Sequence, residues 1–173
     1  MNYDSRDKRR IVMGHSGIAQ LAKLSADEVR SLQAAYGVCS AAEQFFRYAA
    51  TQVANSNLRY KFLQLTKLHL NAAQRLVQTC ATADSISQQR STLSTVKSWY
   101  LHQLATLAEQ STQHTMLAEL AALLQQQIRS LRQLTAGLHN REIKIELAQL
   151  VAELQICSDQ LQPLLKVLPP SRK

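Results

Sequence analysis

His69 stands in the run RYKFLQLTKLHLNAAQRL, residues 59–76, where the helical spacing of Leu58, Phe62 and Leu65 asks for a buried leucine. An imidazole in that place is either a metal ligand or a hydrogen-bonded core group. A helical bundle holds two metal ions by turning inward a Glu from each of two helices and a Glu-x-x-His from each of the other two. Several carboxylates are needed because two cations in a low-dielectric interior must be neutralised there. Here the residue three before His69 is Thr66, so TKLH replaces the required Glu-x-x-His. Glu43, beside Ala42 and Phe46, is the acidic residue on the first apolar stripe, while Glu119, Glu146 and Glu153 fall off the apolar lines of their segments. Glu43 and His69 are too few for a metal pair, so no cofactor is expected; iron or manganese held by these two is the alternative. Where Glu43 and His69 face each other, a carboxylate–imidazole hydrogen bond satisfies both without metal. Glu43 also has Arg47 four residues on as an ion-pair partner.

No other constellation assembles. His15, His102, His114 and His139 fall near helix ends or on mixed faces, and no Ser/His/Asp or Cys/His arrangement emerges. Cys39, Cys80 and Cys157 are far apart, odd in number and without C-x-x-C spacing, which points away from a disulfide framework and a zinc site and towards a reducing cytoplasm. The net charge of +8 raises a nucleic-acid or acidic-surface partner. Its positive residues are mostly dispersed, with few aromatic neighbours, and read as solvated helix faces. The clustered exceptions are Lys8, Arg9 and Arg10, with Arg172 and Lys173 at the other end, so such binding would be weak and unspecific. No apolar run approaches the roughly 18 residues of a membrane span.

With four glycines, three prolines and an abundance of Leu, Ala, Gln and Glu, the elements that position these residues are helices. SADE, residues 25–28, has the form of a capping box and starts a first helix that runs to NSN at 55–57. Asn57 then caps a second helix, antiparallel to the first, whose stripe contains His69. The polar segment 80–91 is the central connection. A third helix over 92–110 carries Leu93, Val96, Tyr100, Leu104 and Leu107, and a fourth over 115–137 carries Leu117 through Leu134 and stops with Gly137 as a left-handed cap. A fifth, with Ile143, Leu147, Leu150, Leu154, Cys157, Leu161 and Leu164 inward, ends at LPP.

Phe46, Arg47, Ala50, Val53, Leu58, Phe62, Ala72, Ala73 and Leu76, followed less closely by Trp99, Leu117, Ile128, Leu131 and Arg132, form a pattern that resembles bacterial ferritin-like domains of unknown function. The resemblance implies a ferritin-like bundle. It also implies acidic residues where this chain has Ala41, Ala121 and Leu124, so a di-metal centre does not carry over, and Glu43 remains as the acidic match.

The expected architecture is all-α: an up-and-down ferritin-like four-helix bundle with an additional helix, a basic N-terminal arm at 1–24, the bundle at 25–168 and a short tail at 169–173. The expected role is non-enzymatic and cytoplasmic, through protein contacts. A homodimer is expected, because Leu123, Ile145, Val151 and Ile156 widen the apolar surface of the last two helices.

Overall fold

The computed structural model describes residues 24–80, 92–106 and 113–166, without the side chains of Cys80 and residues 113–115. The arm with Lys8, Arg9 and Arg10, the central connection, the end expected for the third helix and the tail lie outside the described residues. The described chain is all-helical: α1 (Ala26–Gln52), α2 (Ser56–Cys80), α3 (Thr92–Thr106), α4 (Gln113–Gly137) and α5 (Arg141–Lys166).

The capping box at the start of α1 forms as expected, with the Glu28 amide donating to Ser25 Oγ at 3.2 Å and the Ser25 amide donating to Glu28 Oε2 at 2.9 Å. Leu24, assigned by sequence to the arm, already packs against the core. The cap of α2 is Asn55, not Asn57: Asn55 Oδ1 accepts from the Leu58 amide at 3.0 Å, so the helix begins at Ser56. Asn140 caps α5 in the same way, through the Ile143 amide at 3.1 Å. Gly137 is the last residue of α4, and its backbone is not left-handed, so the cap expected there does not form. α5 continues through Pro163, which has no amide to donate to the carbonyl four residues back.

Short turns make α1 antiparallel to α2 and α4 antiparallel to α5. Lys61, near the start of α2, hydrogen-bonds Gln160, near the end of α5, at 2.6 Å, so these two helices are antiparallel as well. The packing runs α1–α2–α5–α4–α3 and back to α1, a closed ring with α3 between α1 and α4. Small residues Ala35, Ala42, Ala49 and Ala50 are buried along α1 and let its neighbours approach closely, while Phe45, Phe46 and Phe62 fill the centre with no exposure. Each of those phenylalanines stabilises the fold by about 1.5–3 kcal/mol relative to an exposed position. The α4–α5 turn is tied to the foot of α1, because the second oxygen of Glu28 accepts the His139 amide at 2.8 Å.

Candidate functional site

The ring of helices encloses the one residue that the core pattern could not explain. His69 has no exposure. Its Nδ1 lies 2.8 Å from the Leu65 carbonyl oxygen, which can only accept, so Nδ1 carries the proton and donates it. Nε2 therefore holds a lone pair, and it accepts from the Gln127 amide nitrogen at 3.0 Å. Tyr100 closes the chain by donating its hydroxyl to Gln127 Oε1 at 2.7 Å. Helices α2, α4 and α3 are thereby joined at the centre of the bundle. α1 contributes Phe46, whose ring stacks on the imidazole at 5.6 Å between centroids.

The electrostatics follow from burial. Removal from water lowers the His69 pKa to about 4, and the hydrogen bonds to Leu65 and Gln127 oppose that shift only in part. The imidazole is neutral at pH 7. Burial likewise pushes the Cys39 thiol up to about 12 and raises Tyr100 well above the usual tyrosine range, with Cys39 nearby adding to the second effect. His69, Gln127 and Tyr100 are thus uncharged and hydrogen-bonded to one another at this centre. To bind a metal, His69 would first have to give up the Gln127 hydrogen bond.

The expected Glu43–His69 hydrogen bond is corrected by this geometry, since both ring nitrogens of His69 are used by other partners. Glu43 instead pairs with Arg47 at 3.3 Å, one turn on, with the Arg47 side chain largely in solvent. Among the described residues no group of three or more His, Cys, Asp and Glu side chains lies together. His102 is exposed, and His139 lies at the surface with Nδ1 3.6 Å from Glu28. The backbone amide of Ser25 first, and that of His139 second, hold the Glu28 carboxyl down at about 2.

Two glutamines were missed by sequence reasoning. Gln127 is fully buried, and Gln103 of α3 is buried in place of Leu104, which is only half-buried. Gln103 Oε1 has no hydrogen-bond partner. Their phase carries the signal: Gln103 lies three residues after Tyr100, and Gln127 lies between Leu124 and Leu131 on the α4 stripe.

The surface divides differently from expectation. Leu123 and Val151 are core residues that face other helices of the same chain, so they do not widen an outer surface. Ile145 and Ile156 are 58% and 56% exposed, as the wider apolar surface required, and α2 adds Tyr60, Leu63, Leu70 and Val77. Between α2 and α5 runs a groove floored by Leu68, Leu76, Leu147 and Leu150 and rimmed by Arg75 and Glu146. Among the described residues no helix is long and apolar enough to cross a membrane. Compared with family models, curated proteins and solved structures, the chain matches none of the three.

Proposed function

We propose that this chain is a non-enzymatic, cytoplasmic bundle protein of the ferritin-like kind that works through protein–protein contacts, pairing with a second copy of itself. The observation that carries the reading is the contrast between centre and surface. The polar groups around His69 bond to one another, whereas Tyr60, Leu63, Leu70, Val77, Ile145 and Ile156 stand open on two neighbouring helices. Tyr60, Ile145 and Ile156, the three most exposed of them, stand on the outer side of the α2–α5 pair, while Leu63, Leu70 and Val77, seven residues apart, share the shoulder of α2 turned away from α5; exposed apolar side chains of this size support an association surface. The ferritin-like assignment is supported by the pattern over residues 46–76 and by the all-helical architecture. Light scattering at micromolar concentration tests the contact reading, with twice the chain mass expected. A monomer at every concentration refutes the homodimer. Metal analysis tests the rival reading: one or two equivalents of iron or manganese, lost in His69→Ala, would replace the proposal with a metalloprotein.

A further inference from the structure

We infer that the α2–α5 face is the docking surface for a second copy of this chain, with α2 of each copy lying antiparallel along α5 of the other. The inference rests on the contact function proposed above and specifies its surface and symmetry.

Charge is the first argument. α2 carries Arg59, Lys61, Lys67 and Arg75 and no acidic residue. α5 carries Glu142, Glu146, Glu153 and Asp159, with Arg141, Lys144 and Lys166 towards its two ends; the charged residues that line the groove between the helices are Lys67 and Arg75 of α2 and Glu146 and Glu153 of α5, while Arg59 is turned to the Val53 carbonyl. The face is thus split lengthwise into a positive half and a negative half. Three of its members, Tyr60, Ile145 and Ile156, are the most exposed large apolar side chains among the described residues, at 59%, 58% and 56%. A polar rim around apolar anchors is the usual make-up of an interface.

Symmetry then selects one arrangement. Two copies of a face can meet about a two-fold axis that runs either across the helices or along them. An axis across the helices sets α2 against α2 and α5 against α5, so like charges meet. An axis along them sets α2 against the partner's α5, so opposite charges meet. The Lys61–Gln160 hydrogen bond fixes the relative height of the two helices, and Arg75 and Glu146 line the same stretch of groove. Under the second axis each Arg75 therefore lies level with the other copy's Glu146. The net charge of +8 does not oppose this at long range, because repulsion between distant surface charges is screened beyond roughly 8 Å at physiological salt.

Arg75→Glu and Glu146→Arg provide the test, by sedimentation at micromolar concentration with circular dichroism to confirm unchanged helix content. Each variant alone brings like charges together twice across the interface, and its dimer is expected to weaken by roughly tenfold or more. An equimolar mixture of the two is expected to regain the dimer. In a mixed pair the two introduced side chains, opposite in charge, face each other on one side of the axis, and the native Glu146 of one copy faces the native Arg75 of the other on the opposite side. Each chain in the mixture still holds its own like-charged pair, so the rescue is specific to contact between copies. A dimer indifferent to both variants but broken by Leu70→Glu overturns this face, moving contact to the shoulder of α2 turned away from α5, and leaves the contact function standing. A monomeric wild type overturns both.

Discussion

Replacing Gln127 by leucine isolates what the buried junction contributes. The substitution nearly conserves volume and leaves the helix its backbone bonds, but it removes two side-chain hydrogen bonds at 2.7 and 3.0 Å, both in the interior. It strands the Tyr100 hydroxyl and His69 Nε2, neither of which has access to water. A buried polar group without a partner costs about 1–3 kcal/mol, so the pair costs about 2–6 kcal/mol, a large part of a stability that is typically 5–15 kcal/mol. The triple variant Gln127→Leu, His69→Leu, Tyr100→Phe removes every polar member. Leu65 keeps its helical bond to the amide of residue 69, so no group is stranded, and the triple variant is expected to recover most of the loss. Urea unfolding followed by far-ultraviolet circular dichroism measures both. A single variant costing less than about 0.5 kcal/mol, or a triple variant no more stable than the single one, would refute the claim that the network's value lies in mutual satisfaction.

The same network sets a pH dependence. His69 has a folded pKa near 4 against an ordinary 6.5, so between those values the unfolded chain binds a proton that the native chain does not. Stability is expected to fall as pH drops from 6.5 to 4, by up to about 3 kcal/mol, and His69→Leu should remove that part of the slope in urea melts. Glu28 acts in a lower window: its lowered pKa stabilises the fold above the usual carboxylate range, and that contribution is lost as pH falls from 4.5 towards 2. Glu28→Gln should flatten the acid limb of the same titration. Gly37→Ala should raise stability by about 0.5–1 kcal/mol, since a helix interior disfavours glycine. The added methyl would meet only the flexible end of Lys97, at 3.4 Å, and thermal unfolding reads the gain. Cys39 should resist alkylation at pH 8 in the native protein and react in urea, as mapped by mass spectrometry, because its thiol is buried and pushed up to about 12.

The helices were legible because their signals are local and agree with one another. Ser25 and Glu28 lie three residues apart at the head of an apolar periodicity, and the structure closes that capping box. Leu58, Phe62, Leu65 and Leu76 set the phase of α2, so spacing alone places His69 inward. Its partner was not legible, because periodicity says which side of a helix is buried but not which helix faces it. Glu43 was the natural choice on charge, and it lost to geometry: it remains partly exposed beside Arg47, where water can solvate it, whereas the neutral Gln127 enters the core without the cost of burying a charge. The run QQQ at 125–127 hides this, since composition treats its three members alike. Only Gln127 is fully buried, while Gln125 bonds Ser158 of α5 at 3.0 Å and is only half-buried. A glutamine suits the centre because its amide offers a donor and an acceptor on one planar group. It can therefore answer an imidazole lone pair on α2 and a phenol hydroxyl on α3 at once, a match that a leucine stripe cannot provide. The apolar contacts of these helices carry no direction and would tolerate a small shift of one past another at a cost set only by the packing it disturbs. The Tyr100–Gln127–His69 chain would not, so we assign it the role of fixing the register of three helices around α1.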